Sequence, residues 1–423
     1  MADVPRTLVE KVMSRAAATD GRTGDTVRVR PDFILAYDFP GWADAMIDKL
    51  VNVYGIDQLP DPERYVVFVD HLVTRGDAAE KEAHQRVLTW AEANGVDVHV
   101  EQGIGHQLTS ELGYAAPGRL LVHFDAHISA VGALGALGFG LHRQLLDAWI
   151  TGAVDLEIPP TARVELVGTI APGVDGRDLL HTLIAQVGAG GFLGQVVEFS
   201  GPGATSLSLD QRQGLCGMVM FAGAVSAVFA PDELSLAYAA EHARGPFTPE
   251  SSDRGCTYAS ETVLRLDELE PQVVLPGSTR PEHTKAVGEL VGTEVGRGFI
   301  GSCASGRIED LRAAADVLRG HHVRDGFRLI VVPTTEQIRA QAEAEGTLDV
   351  LREAGAQVSK SSCDHCFGYA DPLDDGDVCV STSVLNVRGR MGSTGAEIYM
   401  ASAATVAATA LRGVITDPRT LDA

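Results

Sequence analysis

The sequence predicts an α/β protein in which parallel strands are covered by helices, on three observations. Short apolar runs rich in β-branched residues recur along the chain. Helix-like segments separate them, and that alternation is the mark of crossover connections between parallel strands. Glycine supplies 46 of the 423 residues. Many stand in short strand-to-helix turns, where a residue without a Cβ lets the backbone turn tightly and lets a ligand come close.

Taken in order, the N-terminal MADVPRTLVEKVMSRAAATDG places charges inside its apolar positions and offers no signal-peptide core. Strands are predicted at 65–69, 119–124, 163–167, 196–199 and 329–332, and helices at 77–94, 176–186, 308–319 and 335–345. The low-charge stretch 128–141 is too short to span a bilayer. Its glycine- and alanine-rich part, 132–140, lacks a GxGxxG fingerprint behind a strand and any GK[ST], so it is read as small residues for close helix packing. Met391 and Met400 read as core. At about 150 residues per domain the length suggests three domains. Boundaries are expected near Pro159–Pro160 and in the acidic, proline-containing stretch 267–283, giving 1–158, 159–268 and 269–423.

Acidic residues outnumber basic ones 57 to 34, a net charge of −23. That field repels a phosphate backbone and an anionic membrane surface, so neither nucleic acid nor membrane is an expected partner. A cytoplasmic location is expected. A small acidic substrate requires arginines gathered locally.

The six cysteines, Cys216, Cys256, Cys303, Cys363, Cys366 and Cys379, are too few for a disulfide scaffold of this length. Cys363-Asp-His-Cys366 has metal-ligand spacing. Cys303 lies upstream, before a helix-like segment with Arg307 near its start, where the helix dipole favours thiolate. Three cysteines are one short of the usual set for an iron–sulfur cluster, and an iron without a protein ligand is free to act as a Lewis acid. A CxxC by itself equally marks a zinc knuckle or a pair of unligated thiols. His365 or Cys379 as a fourth ligand would close a structural zinc site.

Polar residues follow several apolar runs. Asp70-His71 closes VVFVD, Asp125-Ala126-His127 follows LLVHF, His106 is flanked by Gly103 and Gly105, and Glu198 ends QVVE. Side chains at the C-terminal ends of parallel strands converge on one crevice. An adjacent Asp orients His and raises its pKa, making a general acid. Each alone reads as a surface or capping residue. Together they read as a site.

The order of these motifs resembles the large subunit of the aconitase/isopropylmalate isomerase family nearly end to end: TLVEKVMSRAA, DHL, GIGHQ, PGRLLVHFDAH, VGTIAPGVDGRDLLHTLI, GQVVEFSG, FAPDE, GSCASGRIEDLRAAA, CDHC and NVRGRMGSTGAEIYMASAATVAATALRGVITDPR. The resemblance implies three α/β domains around an iron–sulfur site, without the family's swivel domain. It implies reversible dehydration of a hydroxy-acid on a [4Fe–4S] cluster held by Cys303, Cys363 and Cys366. His71, oriented by Asp70, would protonate the departing hydroxyl. His106, Asp125, His127 and Glu198 would line the site. Arg390 and Arg307 would bind substrate, Arg390 by pairing with a carboxylate.

Departures from the family pattern fall at the substrate end. DSHT is here Asp125-Ala126-His127-Ile128. In NRNFxGR the first Asn and Arg are Val384 and Leu385. NM..E is Gly217-Met218-Val219-Met220-Phe221, the TN of the cysteine loop is Ala304-Ser305, and the early polar segment is Tyr37-Asp38-Phe39-Pro40. Most changes run from polar to apolar, so the expected substrate is a small hydroxy-carboxylic acid other than citrate or isopropylmalate. No glycine-rich, SSRE-type loop follows 415–419, so a separate small swivel-domain subunit is expected to supply the base. The competing reading is a non-catalytic paralogue with a structural metal, serving as a binding or scaffold protein.

Overall fold

The run YVVFV is apolar at every position because the strand it forms, Tyr65–Val69, is buried on both faces of a parallel sheet. In the computed structural model, which describes residues 4–37, 42–56, 58–74, 76–277 and 283–421, that sheet has five strands. Their order is Asp97–Val100, Tyr65–Val69, Phe33–Tyr37, Leu120–His123, Leu137–Gly140, all parallel. A four-stranded parallel sheet follows, ordered Ser226–Phe229, Val196–Ser200, Thr161–Val167, Ser260–Arg265. A seven-stranded sheet completes the set, ordered Thr284–Ala286, Gln272–Val274, Glu397–Met400, Val378–Ser381, Arg297–Ile300, Arg328–Val331, Gln357–Val358. Gln272–Val274 is antiparallel to both its neighbours, and the remaining pairs are parallel. A two-stranded antiparallel ribbon pairs Thr26–Val29 with Val154–Glu157.

The crossover helices start where their caps dictate. Asp77 accepts from the Ala79 and Glu80 amides and so starts Ala78–Asn94, and Asp175 does the same for Gly176–Val187 through Arg177 and Asp178. Thr335 caps Glu336–Ala344. Among the described residues no helix is long and apolar enough to cross a membrane.

Two expectations are corrected here. The stretch 267–283 contains the strand Gln272–Val274, whose Val273 and Val274 are fully buried in the seven-stranded sheet, so it is not simply a linker. The small residues at 132–140 do not serve helix-on-helix packing. They form a 3₁₀ segment, Ala126–Leu134, and the strand Leu137–Gly140. A Cβ at Gly132 would lie 1.9 Å from the Ala227 carbonyl oxygen, so a bare backbone is needed where that segment meets the strand Ser226–Phe229. Of the early polar segment, residues 38–40 lie outside the described residues. Met391 and Met400 are core, as read.

One apolar cluster joins side chains of the four-stranded sheet, such as Leu166 and Phe199, to Ile104, Phe299 and the loops bearing Cys303, Cys363 and Cys366. The cysteines therefore sit at the junction of the sheets.

Candidate active site

Two Asp–His pairs stand just beyond the C-terminal ends of strands of the five-stranded sheet. After Tyr65–Val69, His71 Nδ1 lies 2.6 Å from Asp70 Oδ1, and the Gly105 amide donates to Asp70 Oδ2 at 2.8 Å. After Leu120–His123, the His127 amide and Nδ1 donate to Asp125 Oδ1 at 2.8 and 2.6 Å. His106 stands close by, its ring centroid 5.0 Å from His123 and 5.9 Å from His127. Gly103 (φ +124°) brings this segment against the seven-stranded sheet: a Cβ there would lie 2.4 Å from Thr335 Cα, and the Ile104 amide donates to the Thr334 carbonyl.

The surroundings shift the imidazoles in opposite directions. Burial lowers the His106 pKa to about 4 and carries His123 well below its ordinary value. Burial acts the same way on His127, but the Asp125 charge and hydrogen bond prevail, and its pKa is raised. Burial would raise Asp125, yet the His127 charge and hydrogen bonds carry it well below the carboxylate range. Two imidazoles shifted toward the neutral form thus stand near one shifted toward the cation.

The cysteines arrive from the seven-stranded sheet. Ser302, at φ +89°, donates through Oγ to the Thr382 carbonyl and turns the chain into Cys303. The Cys363 amide donates to the Asp70 carbonyl at 2.9 Å, which ties the CxxC loop to the first Asp–His pair. All three thiols are free and buried. Arg390 Nη2 donates to Cys366 Sγ at 3.4 Å, and its guanidinium lies 3.6 Å from the Phe367 ring centroid. The neighbouring Cys363 thiol and then Arg390 hold Cys366 toward thiolate, while its contact with Cys366 and burial push Cys363 up. Burial also pushes the Cys303 thiol up, against the direction in which the adjacent helix start acts.

His71, His106, Asp125, His127, Cys303, Cys363, Cys366 and Arg390 line one small recess, together with Phe367 and Val384. Asp70 stands behind His71. Among the described residues no three His, Cys, Asp or Glu side chains are arranged around a single-ion position. The fit to an iron–sulfur group is one of donor chemistry: three soft thiols share one buried recess, and a guanidinium balances their charge. His365 and Cys379, the alternative zinc ligands, line a separate cavity with Arg297 and Asp371.

Two expected site residues point elsewhere. The strand at Glu198 continues to Ser200, and the Glu198 carboxylate accepts from Ser252 Oγ at 2.6 Å and Tyr258 OH at 3.1 Å, so it is not part of the recess lining. Arg307 is 1% exposed. Its Nε donates to Gln107 Oε1 at 2.8 Å and its Nη2 to the Cys303 carbonyl at 2.7 Å. It braces the Cys303 loop and does not line the recess. Sequence reasoning missed His123, hidden inside an apolar strand, and Phe367, which gave no signal beyond adjacency to Cys366. The apolar replacements are packed: Val384 lines the recess, and Leu385 and Phe221 pack against the core beside it. A larger cleft, about 780 Å³, passes Ala304 but carries Asp175, Asp210, Glu309 and Asp310 against Arg177, the wrong balance for an anionic substrate.

Residues 43–413 match the model of the Aconitase family (aconitate hydratase). The 3-isopropylmalate dehydratase large subunit 1 of Methanopyrus kandleri is 35% identical over 418 residues, 98% of this chain and 99% of the relative. The large subunit 2 of Rubrobacter xylanophilus is 36% identical over 423 residues, 99% of each chain. The holo-form crystal structure of Thermococcus kodakaraensis aconitase X shares the fold, with a TM-score of 0.54 at 15% identity over 92% of this chain and 93% of that one. Matches of this length and identity establish that the chain belongs to the aconitase family, as a hydro-lyase.

Proposed function

We propose that this chain is the large subunit of a two-subunit hydro-lyase that interconverts a small hydroxy-carboxylic acid with its unsaturated counterpart, the substrate being neither citrate nor isopropylmalate. One observation carries the reading: three cysteines, an Asp–His pair with a second behind it, and an arginine meet in a single recess. Cys303, Cys363 and Cys366 would hold a [4Fe–4S] cluster through their thiolates. When bound, that group supplies Lewis acidity toward the substrate's hydroxyl and carboxylate.

The chain's own residues supply the rest. His71, oriented by Asp70, delivers a proton to the departing hydroxyl, which is otherwise a poor leaving group. His127, whose pKa the Asp125 charge and hydrogen bond raise against burial, stabilises negative charge that develops on the substrate. Arg390 has a buried Nε with no protein partner, and it pairs with a substrate carboxylate from its seat on Phe367. Val384 and Phe367 give the recess an apolar wall, which supports an acid with an apolar substituent over a more heavily carboxylated one. The base that removes the proton α to the carboxylate comes from a small subunit. That the curated relatives are named large subunits supports this partner.

The test is a panel of hydroxy-acids assayed anaerobically with the chain and a co-expressed small subunit, read by formation of the unsaturated acid. Turnover of a small acid with an apolar substituent, above citrate and isopropylmalate, is expected. Preference for either of those two, or full activity without a second subunit, overturns that part of the proposal.

A further inference from the structure

Asp364 lies between two of the recess cysteines, and its side chain is turned away from them, into the other half of the site. It is fully buried. Its Oδ1 accepts from the Leu72 amide at 2.5 Å, and its Oδ2 accepts from the Thr74 amide at 2.8 Å and Thr74 Oγ1 at 2.5 Å. Its carbonyl meanwhile accepts from the Phe367 and Tyr369 amides, closing the turn that carries Cys366. One residue therefore anchors the cysteine turn through its backbone and the segment after His71 through its carboxylate.

That segment needs an anchor. Leu72 has φ +56°, a left-handed conformation that a side-chain-bearing residue adopts only when its surroundings impose it. The residue so strained follows His71 directly, so its conformation sets where the imidazole leaves the backbone. The Leu72 amide, the Thr74 amide and Thr74 Oγ1 converge on the Asp364 carboxylate, which holds this bend.

We infer that Asp364 is a positioning residue: it couples the cysteine turn to the His71 loop, so that ordering the cysteines fixes the imidazole. The role in turnover rests on the proposed action of His71 on the substrate hydroxyl. The coupling itself does not.

The test uses the anaerobically purified full chain, with its metal, in Asp364→Ala, Asp364→Asn and Thr74→Val forms. Hydrogen–deuterium exchange across residues 70–74 is read without substrate. In Asp364→Ala the Leu72 and Thr74 amides are expected to exchange about tenfold faster or more, since they lose their acceptor. Iron and sulfide content should stay at the wild-type level, because all the thiols remain. With a small subunit and an active substrate, kcat should fall about tenfold to a hundredfold with KM within about twofold, the pattern of a misplaced acid. Asp364→Asn keeps one acceptor and should restore part of both losses. If Asp364→Ala fails to fold, Thr74→Val, which removes only the hydroxyl donor, should move exchange and kcat in the same direction by a smaller factor. Wild-type exchange at 72–74 in Asp364→Ala, or in Thr74→Val where the former does not fold, overturns the inference. So does faster exchange with unchanged kcat. Because exchange is read without turnover, failure of the hydro-lyase reading and failure of this coupling are seen separately.

Discussion

Asp125 grips His127 twice, at its amide and at Nδ1, and it leaves Nε2 of that ring buried without a protein partner at the recess. The arrangement fixes the ring's orientation and favours its protonated form. Asp125→Asn preserves the shape and removes the charge that raises the His127 pKa. The expected result is a fall in kcat of about a hundredfold or more, the scale of a lost acid–base or electrostatic group. The melting temperature should change little by comparison. Steady-state kinetics with the active substrate check this.

Arg390 is stacked on Phe367 and donates to Cys366. Arg390→Lys keeps the charge but loses the planar fork and the stacking, so it should behave almost as Arg390→Ala does. Both should raise KM about tenfold or more. Both should also shed iron faster in air, since the guanidinium hydrogen bond to Cys366 Sγ is gone. Kinetics and timed iron release measure the two effects.

Glu198 accepts from Ser252 and Tyr258 outside the recess, and burial raises its pKa. Glu198→Gln should leave kcat within about twofold and lower stability by about 1 kcal/mol, the worth of one impaired buried hydrogen bond. A large loss of kcat at unchanged stability would put Glu198 back among the catalytic groups.

His181, on the helix Gly176–Val187, is fully buried with neither ring nitrogen hydrogen-bonded, and burial, then Arg177, lowers its pKa to about 3. The unfolded chain takes up this proton near the ordinary histidine value and the folded chain does not. Its contribution to stability is therefore complete above about pH 6.5 and is lost as pH falls toward 3, at about 1.4 kcal/mol per pH unit. His181→Leu should remove that slope. Denaturant titrations of both forms at pH 7 and pH 5 give the difference.

Much of this architecture was legible because it is local. The strand Tyr65–Val69 and the helices capped by Asp77, Asp175 and Thr335 follow from apolar runs and caps within a few residues. The Asp–His pairs and the CxxC turn were legible for the same reason. What the sequence concealed are contacts across the chain. Asp364 meets Leu72 over 292 positions and Arg307 meets Gln107 over 200. The family resemblance marked Arg307 as a substrate ligand, and nothing in its neighbours says that it is buried against the Cys303 carbonyl. Glu198 was placed at a strand end because polarity stood in for a boundary, although Phe199 carries the strand on to Ser200. His123 was passed over because one imidazole in LLVHF reads as part of a strand.

The central claim is that three buried thiols at the junction of the sheets hold a substrate-accessible iron–sulfur group. Its most direct test is iron and acid-labile sulfide analysis of anaerobically purified protein, with visible spectra before and after air. About four irons and four sulfides per chain are expected, with a broad absorption that bleaches in air, and iron, sulfide and absorption should be lost together in Cys366→Ser. A colourless protein with stoichiometric zinc, or one that takes up no iron on anaerobic reconstitution, would contradict it.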